Sequence, residues 1–230
     1  MSSPTDPELA ALLGEIPEPG VALSASPPAR PPALPQAPTR QLVRRRRIAA
    51  LIAGVCWVGA HLAVYGIRTD LRELPPTYLA AQILLPAMLA TGALVIAVGP
   101  GKLGLGVRIG LVSTLAVLGP VSFCVLALGA PVPRVAEAAT WVDTVLCFDI
   151  TMLWVAVPLL CAALTLRGAF AAGARWRSAL VGAAIGLFAG ATMNLHCTNA
   201  APSHMLLGHG LAVVLAALLG AVVLVQRARA

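Results

Sequence analysis

Three of the four histidines and one of the five cysteines fall in or just beyond a single short segment. It reads Asn194-Leu195-His196-Cys197-Thr198-Asn199-Ala200-Ala201-Pro202-Ser203-His204, and His209 follows it closely. Thiolate and imidazole are the ligands that borderline and soft transition metals take, and a thiol can also surrender electrons to an oxidant. Cys147, in an earlier apolar run, is the natural second thiol for this segment. Three readings follow for Cys147, Cys197, His196, His204 and His209. They form a redox pair with neighbouring imidazoles, a transition-metal site, or a structural disulfide with interfacial side chains and no ligand. The spacing matches no recognised zinc pattern. His204 and His209 are five apart, which does not align them on one face of an α-helix.

The elements that must position these residues are membrane helices. The chain is 59% hydrophobic and only 11% charged, against about 25% charge in soluble domains. Six runs approach the length of about 20 apolar residues that crosses a bilayer core. They cover 48–66, 77–98, 106–130, 144–166, 177–194 and 206–226. None alternates as barrel strands do. The expected fold is therefore all-α, an integral bundle of six transmembrane helices over 48–226, preceded by a cytoplasmic tail over 1–47. Residues 1–40 contain no apolar core of a secretory signal, so the first helix is expected to be an uncleaved anchor.

Basic residues orient such a bundle, because cytoplasmic flanks collect Lys and Arg. With the N-terminus inside, Arg30, Arg40, Arg44 to Arg47, Lys102, Arg108, Arg167, Arg175, Arg177, Arg227 and Arg229 are cytoplasmic. Only Arg68, Arg72 and Arg134 lie outside, offset by Asp70, Glu73, Glu137 and Asp143. Both termini are expected in the cytoplasm. The net charge of +7 then calls for no nucleic acid, since Arg44-Arg45-Arg46-Arg47 abuts the first helix and meets anionic lipid. Tyr65, Tyr78 and Trp141 fall near the outer boundary and Trp176 near the inner one, as an aromatic belt. On this topology every histidine, His61 included, lies toward the outer face with Cys124, Cys147 and Cys197. In a bacterium that face would meet an oxidising compartment, where disulfides form. Cys56 and Cys161 lie deeper and read as small apolar packing residues.

Within the helices, Gly182, Gly186 and Gly190 repeat at i+4 and give a small face for close helix approach. Pro86, Pro120 and Pro158 fall mid-run and free backbone carbonyls. Asp149 is the one acid inside a run, a functional hypothesis by default although shallow. No catalytic Ser, His and Asp arrangement, HExxH or phosphate loop is present. Gly99-Pro100-Gly101-Lys102-Leu103-Gly104-Leu105-Gly106 reads as a turn. The chain is not expected to be an enzyme or to take a small-molecule substrate.

The tail is Pro-rich from Pro4 to Pro38 and favours extended, unfolded chain. One island, 6–16, differs. Leu9, Leu12, Leu13 and Ile16 follow the stripe of an amphipathic helix, with Asp6 as cap and Pro7 at its first position. Its acidity suits docking into a soluble partner's groove better than lying on a membrane.

Several stretches resemble the NrsF family, negative regulators of sigma F. They run from Cys147 through Pro158 to Leu166-Arg167-Gly168-Ala169, along Gly182-Ala183-Ala184-Ile185-Gly186-Leu187-Phe188-Ala189-Gly190, and into Leu195-His196-Cys197. The resemblance covers about 40–226 in layout and is most specific from Cys147 to His209. Thr198 stands where the family usually has proline, and the tail is longer than usual. The resemblance implies a six-helix bacterial inner-membrane protein that sequesters an extracytoplasmic-function sigma factor until stress releases it. It also implies that Cys147 and Cys197 take part in sensing. No cofactor is expected beyond a transition metal ion at the outer face. The competing reading is a small transporter or metal-handling permease, resting on the three prolines, Asp149 and the histidines. A scaffold with no ligand is a third.

Overall fold

The computed structural model describes residues 40–98, 109–129, 140–166 and 173–226. Leu9, Leu12, Leu13 and Ile16 of the tail, and the turn at 99–106, lie outside the described residues. Among the described residues the structure is helical, with no strand. We number the helices α1 Arg40–Tyr65, α2 Pro76–Val98, α3 Ile109–Gly129, α4 Trp141–Thr165, α5 Ala174–His196 and α6 Pro202–Leu224. Five of them, α2 to α6, are long and apolar enough to cross a membrane. The first differs from expectation. It begins at Arg40, before the arginine run and eight residues ahead of its expected apolar start at 48.

Local chemistry sets the other boundaries. α4 starts three residues earlier than its apolar run because Thr140 and Asp143 form a reciprocal capping box. Pro202 starts α6 at the first helical position, where its missing N–H costs nothing. Gly66, at φ +76, turns the chain out of α1, and its N–H satisfies Leu62 O at 2.9 Å.

α5 is the hub of the bundle. Its most apolar window is 83% buried, whereas no other candidate span exceeds 39%. The reason lies in its small residues. A Cβ placed on Gly182 would stand 3.0 Å from Gly220 Cα, and one on Gly186 would stand 2.9 Å from Val213 Cα. α5 and α6 thus meet nearly backbone to backbone. Gly190 leaves space for the Phe123 ring of α3. Large apolar side chains such as Val55, Met88, Leu153 and Val222 point outward, as they do when hydrocarbon is the solvent. Cys56 and Cys161 are exposed on this outer surface, so they are not the interior packing residues that depth alone suggested.

Two of the mid-helix prolines have assigned consequences. Proline cannot donate to the carbonyl four residues back. For Pro158 that carbonyl belongs to Trp154, and Trp57 Nε1 of α1 donates to it at 3.0 Å. For Pro86 it belongs to Gln82, and Asn194 Nδ2 of α5 donates to it at 2.9 Å. The prolines therefore create interhelical docking points. At the opposite end of the bundle, Arg177 Nε donates to Ala97 O near the C-terminus of α2, at 2.9 Å.

This packing yields a stability test. Gly182→Ala and Gly220→Ala press a methyl group onto backbone and should each cost about 1–3 kcal/mol, as overpacking does. Gly92→Ala, where nothing lies within 4 Å, should not destabilise. Thermal unfolding in detergent compares the three.

Candidate metal and thiol centre

The site forms where α4, α6 and the short 197–201 connection meet. α4 presents Thr144 and Cys147 from its first turns, three residues apart on one face. The loop after α5 presents Cys197, whose Sγ lies 3.8 Å from Cys147 Sγ. Gly208 allows the approach of α6, since a Cβ there would already touch Cys147 Cβ and Thr144 O at 3.4 Å.

His204 and His209 come together because α6 is not a plain α-helix at this point. Met205–Gly210 is π-helical, and its i→i+5 bonding brings residues five apart into alignment. The ring centroids are 5.4 Å apart. One local change of period thus overcomes the α-helical spacing that would have separated them. Such π segments are frequent at functional sites.

Hydrogen bonds orient both imidazoles. Thr144 Oγ1 spends its single proton on Thr140 O at 3.2 Å, so it accepts from His204 Nδ1, also at 3.2 Å. His204 Nε2 is then the lone-pair nitrogen, and it stands 3.2 Å from Cys197 Sγ. Asn194 is oriented by donating its Nδ2 to Gln82 O, which leaves Oδ1 as the acceptor for His209 Nδ1 at 2.7 Å. His209 Nε2 is therefore also a bare lone pair. It is fully buried and has no hydrogen-bond partner. One sulfur or ring-nitrogen atom from each of Cys147, Cys197, His204 and His209 lies within 4.8 Å of the others, a grouping that could hold a metal ion.

The loop that carries Cys197 is clamped from outside. Arg68 follows α1, is buried, and grips Asp70 with two bonds of 2.6 and 2.7 Å. Its Nη1 donates to Cys197 O at 2.8 Å and its Nη2 to Thr198 O at 3.2 Å. Its backbone N–H also bonds Leu195 O at 2.9 Å. The Arg68 hydrogen bond holds the Asp70 carboxyl below its ordinary range. That contribution to stability is present above the ordinary aspartate pKa and is lost as pH falls through the depressed one. Cys197 is held below the usual thiol range chiefly by the Cys147 S–H, with burial opposing.

The remaining sequence candidates separate. His196 stands apart from the four ligands and packs against Tyr65 and His61, at centroid distances of 5.3 and 6.0 Å. His61 is buried against Trp154 at 4.4 Å. Asp149 is exposed on α4. Asn194, Gln82, Thr144 and Arg68 were not among the candidates. Gln82 had a signal, as a polar side chain inside an apolar run. Asn194 had one too, at i+4 after Gly190 on the small-residue face.

Arg68→Ala removes charge-assisted bonds worth about 1.5–3 kcal/mol each. It should accelerate maleimide labelling of Cys197 in native membranes, while the total number of labelled thiols after denaturation stays constant.

The model of the NrsF family, described as negative regulator of sigma F, matches residues 33–229. No curated protein and no solved structure matches the chain.

Proposed function

Because this chain belongs to the NrsF family of negative regulators of sigma F, we propose that it is an anti-sigma regulator of the bacterial inner membrane. It holds an extracytoplasmic-function sigma factor on its cytoplasmic side and releases it when an oxidant or a metal ion acts on Cys147 and Cys197. α1 completes a six-span bundle, and the distribution of Lys and Arg puts both termini inside. Residues 68–73 and 197–201 then face the envelope. Leu9, Leu12, Leu13 and Ile16 supply the apolar stripe for the sigma factor.

One observation carries the input half of this reading. The two sulfurs are 3.8 Å apart, and one of them sits on the loop that ends the hub helix. A two-electron oxidant of the peroxide class would convert the Cys197 thiolate to a sulfenic acid, releasing hydroxide. Cys147 would condense with it to a disulfide, releasing water. Closing 3.8 Å to the bond length of about 2.05 Å pulls on the loop between α5 and α6, both of which run to the cytoplasmic side. The permease reading loses its main support, because Asp149 is exposed on α4 and two of its three prolines serve interhelical hydrogen bonds.

A sigma-dependent reporter tests the input. With Cys147→Ser and Cys197→Ser, basal repression should persist and stress induction should disappear; unchanged induction overturns the sensing role. For the output, Leu12→Asp with Leu13→Asp should release the sigma factor from membranes. Continued co-purification would count against docking on the tail.

A further inference from the structure

We infer that Cys147, Cys197, His204 and His209 form a tetrahedral site for one divalent, borderline-soft metal ion of the zinc, cobalt(II) and cadmium class. This deepens the sensing reading above by assigning the ligand set and the ion's charge.

One nitrogen of the cluster is unpaired. A buried acceptor left without a donor costs about 1–3 kcal/mol. His209 Nε2 is such an acceptor, and Asn194 fixes its tautomer so that the lone pair cannot be exchanged for an N–H. A disulfide between Cys147 and Cys197 would leave this nitrogen unsatisfied. A metal ion would satisfy it, with Nδ1–H held by an outer partner, as metal-binding imidazoles usually are. His204 repeats the arrangement through Thr144.

The spacing of the four side chains also fits a metal ion. With metal–sulfur bonds of about 2.3 Å, the edge of a regular tetrahedron between two sulfurs is about 3.8 Å. Cys147 Sγ and Cys197 Sγ are separated by 3.8 Å. The same construction with a metal–nitrogen bond of about 2.0–2.1 Å gives a sulfur–nitrogen edge of about 3.5 Å. Cys197 Sγ and His204 Nε2 stand at 3.2 Å, a few tenths shorter.

Charge then selects the ion. Two thiolates and two neutral imidazoles carry two negative charges, and the nearby guanidinium of Arg68 is already paired with Asp70. A divalent ion leaves the complex neutral, whereas a monovalent one leaves a net charge in a buried place, which is expensive. Sulfur and imidazole ligands in tetrahedral array also disfavour the hard oxygen-seeking ions magnesium and calcium.

The test uses the full-length protein in detergent, reduced and stripped of metal, titrated with cobalt(II) and then zinc(II). One cobalt per chain should bind, with the visible bands of tetrahedral cobalt and sulfur-to-cobalt charge transfer, and zinc should displace it. His209→Ala should weaken zinc binding, and Asn194→Leu, which keeps all four ligands but removes the acceptor that orients His209 together with the donor to Gln82 O, should weaken it by about 10–100-fold. His209→Cys should retain binding and intensify the charge transfer with a third sulfur, a gain that general loss of folding cannot imitate. An octahedral cobalt spectrum, or zinc affinity unchanged in His209→Ala, overturns the site. No sigma factor enters the titration. Failure to bind metal therefore overturns this site alone, and failure of the reporter assay bears on the anti-sigma reading alone.

Discussion

The close contact between α5 and α6 governs the geometry of everything else. Gly182, Gly186 and Gly190 and then Asn194 occupy one face of α5 at intervals of four. Gly182 meets Ala216 and Gly220 of α6, and Gly186 meets Val213 and Ala216. The same line continues upward to Asn194, which meets His209. Backbone-to-backbone approach allows little sliding, because any shift drives main chain against main chain. The glycine contacts therefore set the register at which the His209 imidazole reaches its acceptor, several turns away.

Polar groups in this bundle are placed where the apolar scaffold frees a partner for them. Pro86 leaves Gln82 O without its helical donor, and Asn194 uses that carbonyl to orient its own amide. The Gln82 side chain in turn donates to Leu126 O of α3 at 2.6 Å. Four helices thus share one line of hydrogen bonds from α3 through α2 and α5 to His209 of α6. Where little water competes, an unsatisfied member would be costly, so the line acts as a unit. A change at the His209 imidazole has a physical route into the packed core by this line, and a change at Cys197 has one through the Arg68-clamped loop.

Much of the fold was legible because hydrocarbon imposes a simple rule: each span must be apolar and helical. Six runs, their order and the small face of α5 follow from that rule. The ends of the helices were less legible, since they depend on caps such as Thr140 with Asp143 and on Pro202, which lie outside the apolar runs.

The candidate site was legible in its residue types and not in its membership. Sequence alone determined that Cys147, Cys197 and the last three histidines belong to one end of a helical bundle, because apolar runs and charged flanks fix which residues share a depth. Tertiary structure decided which of them meet. A π segment at Met205–Gly210 changes the helical period and brings His209 beside His204, while His196 turns away to Tyr65 and His61. The tautomers, too, were decided by partners from other helices, Thr144 on α4 and Asn194 on α5. Depth is a property of one segment in a solvent and can be read along the chain. Coordination depends on angles between side chains of different helices, and only packing sets those.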